Sequence, residues 1–230
     1  MDYLDGIDEQ EMHFFREQAS AYYKEEGRHE FPWRETKDPW KILLAEMLLR
    51  KTTAAQAESV YQQLSKYSPQ ELRDAPREEL EELLKPLGIY QERARLMKLV
   101  GEKVAEEGRD KLSDWDFLIS LPGIGPYAAS MVLSTVFGEK KPGLDRNMFR
   151  VLDRVFSIKS DKARPHTDRE LWKTAEEIMP EEETKDYNWG VMDLAAEICR
   201  PRNPKCSQCP LLKICDFGQK RSMNEAKNNE

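Results

Sequence analysis

Leu121-Pro122-Gly123-Ile124-Gly125-Pro126-Tyr127, followed at 144–150 by Leu144-Asp145-Arg146-Asn147-Met148-Phe149-Arg150, is the stretch whose reading decides the fold. Before it, Trp115 to Ile119 has the apolar spacing of a short helix; after it, Tyr127 to Phe137 reads as a buried helix rich in small residues and ended by Gly138. Two glycines two apart permit backbone angles that side chains forbid, and Pro126 suits the first turn of a helix, where a missing N–H costs nothing. Helix, glycine hairpin and helix form a corner whose unsatisfied N–H groups and dipole can hold an anionic oxygen. For the two glycines alone, an ordinary helix–turn–helix corner is the better account. Asp145 follows Gly143 and precedes a helical pattern through Val151, Leu152, Val155 and Phe156, so it stands at an N-cap position.

The 230 residues suit one or two domains with a sizeable core. No apolar run reaches the roughly 20 residues of a membrane span, and Met1-Asp2-Tyr3-Leu4-Asp5 lacks the charge and apolar run of a leader peptide, so a cytoplasmic protein without a membrane partner is expected. The net charge of −7 argues against a generally basic nucleic-acid binder; a DNA face would have to be local, and Arg200, Arg202, Lys205 and Lys213 cluster for one.

The chain shows almost no period-two alternation, so the expected class is all-α. Residues 8–23 form an amphipathic stripe, and 31–40 an irregular loop set by two prolines. In that loop Trp33 and Arg34 can plug the core edge or line a base pocket, since indole and guanidinium planes stack on bases. A helix from Trp40 is apolar nearly all round except for Glu46, whose carboxylate must be paired, protonated or at work. Arg50, Lys51 and Thr52 at the next junction can reach into a DNA groove or serve only the local turn. Tyr90, beside Gly88 on a turn, has the shape of a wedge that opens a base step, or of a side chain packed on the turn. The polar tail from Ser222 onward reads as disordered.

All four cysteines fall in one segment, Cys199-x6-Cys206-x2-Cys209-x5-Cys215, punctuated by Pro201, Pro204 and Pro210. Such clustering in a chain expected inside the cell points to a metal centre rather than to disulfides. Four-thiolate zinc sites usually pair two short arms across a longer insert; only one short arm exists here, and a [4Fe–4S] cube with four thiolate ligands fits the spread.

The hairpin with LDRNMFRVLDR, and the C-x6-C-x2-C-x5-C loop, resemble the helix-hairpin-helix DNA glycosylase superfamily, the cysteine spacing matching its endonuclease III and adenine-glycosylase branches. The resemblance spans about Phe31 to Cys215. It implies two helical lobes: a six-helix barrel over 36–140 carrying the hairpin, and an iron–sulfur lobe from 1–35 plus 141–217, with 218–230 a disordered tail. It implies double-stranded DNA with a mismatched or damaged base as partner, bound by a monomer between the lobes with the target nucleotide rotated out of the stack.

Carried over by position, the resemblance makes Asp145 the carboxylate that steadies the sugar, Glu46 the second carboxylate and Tyr127 a pocket residue. Gly123, Gly125, Tyr90, Arg50, Lys51, Thr52, Arg200, Arg202 and Lys205 become DNA contacts, Trp33 and Arg34 pocket walls, and Cys199, Cys206, Cys209 and Cys215 cluster ligands. Bifunctional members carry a lysine nucleophile where this chain has Tyr127, so no Schiff-base lyase is expected. The segments 31–34 and 46–54 look like archaeal thymine-DNA mismatch glycosylases, which remove T or U opposite G. An adenine glycosylase acting opposite G or 8-oxoguanine is the alternative, and a non-catalytic lesion-binding protein the alternative of another class. Pro126 and Arg146 depart from the family pattern.

Overall fold

The computed structural model describes residues 3, 4 and 6–227, with side chains through 224. Every regular element among the described residues is helical. The chain divides into two compact units: residues 29–137 form a central unit, and both chain ends, 1–28 and 138–230, form the other.

In the central unit, α2 (Pro39–Leu49) is the buried axis, with Trp40 and every residue from Ile42 to Leu48 in the core, as expected for a helix apolar on nearly every side. Asp38 caps it, and Trp40 anchors its start by donating its indole N–H to the Tyr67 carbonyl at 2.8 Å. α3 (Ala54–Leu64) and α8 (Pro126–Val132) pack on α2, while α4 (Pro69–Asp74) and α5 (Arg77–Leu84) pack on the long α6 (Tyr90–Glu107). α7 (Trp115–Ser120) leads into the hairpin. The helix expected over 127–137 is not uniform: α8 ends at Val132 and Leu133–Phe137 winds as a π-turn.

In the other unit, α1 (Glu9–Glu26) lies along α11 (Thr184–Glu197), and α9 (Arg146–Phe156) packs on α11 and on α12 (Asp216–Lys227). α10 (Arg169–Ile178), capped by Asp168, contributes Leu171, Ala175 and Ile178 to the core these helices share. Phe15 lies edge-on to both Phe156, at 5.2 Å, and Tyr187, at 5.9 Å. The expected disordered tail is helical as far as Lys227, because Phe217 and Gly218 anchor its start beside the cysteines; residues 228–230 lie outside the described residues.

Candidate functional site

The hairpin between α7 and α8 uses its glycines unequally. Gly123 adopts φ +82°, which favours glycine, and a Cβ there would press on the side-chain ends of Arg50 (Nη1, 3.0 Å) and Leu96 (Cδ1, 3.1 Å). Gly125 is extended (φ −117°) as the N-cap of α8, and a Cβ there would meet nothing within 4 Å. The expectation that both glycines serve unusual backbone angles therefore holds for Gly123 alone. Arg50 Nη1 donates to the Gly123 carbonyl at 3.1 Å, tying the end of α2 to the hairpin.

Two other turns of the central unit hold non-glycine residues in the left-handed region: Lys51 at φ +56° and Ile89 at φ +44°. Lys51 is exposed between α2 and the Thr53–Gln56 capping box that starts α3. At the second turn Tyr90 is half-buried as the first residue of α6, whereas Ile89 is 59% exposed. Ile89 is the exposed apolar residue at the tip of this turn, beside the half-buried Tyr90. Ile89 looked in the sequence like one more apolar residue beside Gly88.

Glu46 is buried within α2, and Tyr127 is half-buried in the first turn of α8. Trp33 and Arg34 sit on a 3-10 turn and are both buried. Trp33 is stacked on Phe31 at 5.0 Å and set edge-on to Tyr61 at 5.3 Å; at 2% exposure it is a core side chain with no open face for a base, which corrects its assignment to a stacking pocket.

Asp145 belongs to the other unit and caps α9 as expected. Its Oδ1 accepts the N–H groups of Asn147 at 2.7 Å and Met148 at 2.8 Å, and its Oδ2 accepts the Asn147 side-chain amide at 2.7 Å. Arg150 donates Nη1 to Asn147 Oδ1 at 3.0 Å and Nε to the Cys199 carbonyl at 2.8 Å. Burial raises the Asp145 pKa above the ordinary carboxylate value, against the lowering effect of these amides and of the Arg150 charge. The approach to α9 is fixed by Asn188, which accepts the Gly143 N–H and donates to the Lys141 carbonyl, both at 2.9 Å. Asn147 was legible only as part of a helix start; its bridging of Asp145 to Arg150 depends on side-chain geometry.

The four cysteines line one cavity of about 290 Å³ together with Arg154, Leu212 and Phe217. The Gly218 N–H donates to Cys215 Sγ at 3.3 Å, and Arg154 Nη1 to Cys199 Sγ at 3.4 Å. Burial raises the thiol pKa of Cys209 to about 12 and also raises that of Cys215. Among the described residues no group of three or more His, Cys, Asp or Glu is arranged to hold a metal ion. Arg200, Arg202 and Lys205 are all exposed on the loop between the first two cysteines.

Residues 44–177 match the HhH-GPD superfamily of base excision DNA repair proteins. The thymine/uracil-DNA glycosylase of Pyrobaculum aerophilum is 47% identical over 213 residues, covering 90% of this chain and 93% of that protein. The adenine DNA glycosylase of Buchnera aphidicola subsp. Schizaphis graminum is 31% identical, covering 89% of this chain but 59% of its own. Among solved structures, a thermostable thymine-DNA glycosylase superposes with TM-score 0.84 at 32% identity, covering 92% of this chain and 98% of that one. A non-covalent endonuclease III–DNA complex follows with TM-score 0.77 at 26% identity, covering 94% and 99%.

Proposed function

Since the chain belongs to the HhH-GPD superfamily of base excision DNA repair proteins, we propose that it is a DNA glycosylase that hydrolyses the N-glycosidic bond of T or U mispaired with G. The observation that carries the choice of base is the 47% identity to a thymine/uracil-DNA glycosylase along nearly the full length of both chains. An adenine glycosylase is the weaker reading, at 31% identity and 59% coverage of the relative.

The chemistry asks for a negative charge beside a sugar that becomes cationic as the base leaves. Asp145 is suited to that role. Its carboxylate is held by two backbone amides and the Asn147 side chain, so it needs little reorganisation as charge develops. Burial leaves it less well solvated than in water, and an anion so placed gains more by meeting a cation. Glu46, buried on α2, is the second carboxylate and would position the attacking water or protonate the departing base. Tyr127 has no amine, so the sugar is released to water and no Schiff base forms.

The DNA would be gripped at several places. A Cβ at Gly125 would meet nothing and no left-handed angle is served, so the glycine is explained by a partner that approaches its backbone, such as a phosphate. Gly123, Arg50, Lys51 and Thr52 belong to the neighbouring turns, and Ile89 takes the wedge role in place of Tyr90. Arg200, Arg202 and Lys205 would meet phosphates from the cysteine loop. Arg34 is a candidate pocket wall.

Cys199, Cys206, Cys209 and Cys215 would hold a [4Fe–4S] cluster: they supply four thiols around one cavity, with N–H donors aimed at two of the sulfurs. Such a cluster would cross-link the loop and fix its cations. Iron and sulfide analysis, with absorbance at about 400 nm, tests for it.

The deciding experiment is single-turnover base release from T·G, U·G, A·G and A·8-oxoguanine duplexes, followed by alkali, with borohydride present in a parallel set. Release from T·G and U·G with no trapped adduct is expected. Faster release of adenine would replace the substrate, a borohydride-trapped adduct would restore the lyase, and intact duplexes throughout would leave a DNA-docking protein.

A further inference from the structure

Arg93 lies in the second turn of α6 and is only 5% exposed, yet no carboxylate is bonded to it. Its guanidinium donates to five oxygens. Nη1 reaches the Met47 and Leu48 carbonyls at 2.9 and 3.3 Å; Nη2 reaches the Arg50 carbonyl at 2.5 Å and Thr52 Oγ1 at 2.7 Å; Nε reaches the Gly88 carbonyl at 3.1 Å. The first two bonds cap α2, whose last carbonyls have no helical donor. The other three are surplus to capping. They hold the Arg50 carbonyl and the Thr52 hydroxyl on either side of Lys51 and the Gly88 carbonyl immediately before Ile89, the two exposed non-glycine residues of the central unit in the left-handed region. Each such residue costs about 1–2 kcal/mol, and because both side chains are exposed, packing inside the protein does not explain the strain. Arg50, whose carbonyl Arg93 holds, in turn donates to the Gly123 carbonyl of the hairpin. A recess of about 430 Å³ is lined by Lys51, Ile89, Glu92, Arg93 and Leu96.

We propose that Arg93 is a positioning residue that locks the 50–53 turn, the 88–89 turn and, through Arg50, the hairpin into one rigid reading head, and so sets how strictly the enzyme selects the base left opposite the extruded nucleotide. The proposal rests on the mismatch-glycosylase reading above. A planar fork of five N–H groups can hold three loops at fixed separations; an ammonium on a flexible stem cannot. Loosened turns would still meet phosphates, whose attraction tolerates small displacements, but would lose the fixed spacing that tells one orphaned base from another.

The test uses full-length protein and duplexes carrying a tetrahydrofuran abasic analogue opposite G, A, C or T, so that no base need enter the catalytic pocket. Wild type should bind the G-opposed site most tightly; if it shows no preference, the mismatch reading fails and not the role of Arg93. Arg93→Met should reduce the preference for G over A by about tenfold, the worth of roughly one charged hydrogen bond, while changing affinity for undamaged duplex by less than about twofold. Arg93→Lys keeps the charge, guards against simple loss of folding, and should restore only part of the preference. Thr52→Val should lower the preference in wild type but add nothing in the Arg93→Met background, the non-additivity of two groups on one latch. Equal weakening at all four opposing bases, an unchanged preference, or additive effects of Thr52→Val and Arg93→Met would overturn the proposal.

Discussion

Gly123 and Gly125 stand two residues apart and are glycine for different reasons, which a pair of alanine substitutions separates. Gly123→Ala forces an L side chain to φ +82° and into Arg50 and Leu96, so a loss of about 1–3 kcal/mol is expected in denaturant unfolding. Gly125→Ala meets no atom and no forbidden angle; its midpoint should stay within about 0.5 kcal/mol of wild type, and its affinity for duplex DNA should fall. Full DNA affinity in Gly125→Ala would remove the hairpin from the interface. Asp145 offers a second dissection. Its folded pKa is raised, so the native state holds the proton more tightly than the unfolded chain does. Its contribution to stability is therefore present at acidic pH and lost as the pH rises through the folded value. Asp145→Asn removes that loss and retains a good N-cap. The variant should melt no lower than wild type at neutral pH while base release disappears. In wild type, base release should fall as the pH drops through a value above the ordinary carboxylate range. A variant that melts lower and still releases base would assign Asp145 to capping alone.

Helices α1 and α11 approach so closely at Gly190 that a Cβ there would lie 1.9 Å from the Ala19 carbonyl oxygen, a backbone atom that cannot swing aside. Gly190→Ala must therefore pry two helices apart. A loss of at least about 3 kcal/mol is expected, read as a fall in Tm of several degrees; a smaller change would mean the pair separates freely. Much at this scale was legible beforehand. The cap at Asp145 announces α9, and the amphipathic stripe over 8–23 announces α1. The misses have physical causes. Ser68-Pro69 reads as a turn, yet Ser68 and Glu71 form a capping box that starts α4 with proline at its first position. The π-turn at Leu133–Phe137 carries the same apolar pattern as an α-helix, which hides the change of hydrogen bonding. Arg93 sits between Glu92 and Arg95 and looks like any solvated helix charge; only the fold shows that it turns inward. The start of α12 looks polar, but Arg154 lies 4.6 Å over the Phe217 ring and holds it.

At the scale of the whole molecule, a chain of net charge −7 that binds DNA must confine its cations to few places, and the exposed trio Arg200, Arg202 and Lys205 hangs on a loop that the cysteines organise. That loop is in turn supported by residues from the opposite end of the sequence, since 1–28 and 138–230 build one unit. No periodicity or cap announces this pairing of chain ends; it entered the sequence reading through the family resemblance alone. The dependence is heavy. Met12, Phe15, Ala19 and Tyr23 of α1 are buried, and Arg28 donates its backbone N–H at 3.0 Å and its Nε at 2.8 Å to the fully buried Asp193 on α11. Burial of each large apolar side chain contributes about 1.5–3 kcal/mol, and loss of Arg28 would strip a buried carboxylate of a charged partner, a change worth several kcal/mol more. Together these approach the roughly 5–15 kcal/mol that holds a domain folded. Deleting residues 1–28 should therefore abolish hydrogen-exchange protection in α9, α10 and α11, and with it retention of the cluster proposed for the cysteines. Protection in α2 to α8, which pack on one another within the unit 29–137, should persist. Protected α9 and α11 in the truncated chain would instead make α1 an appendage, and the unit around the cysteines would have to be stabilised by 138–230 alone.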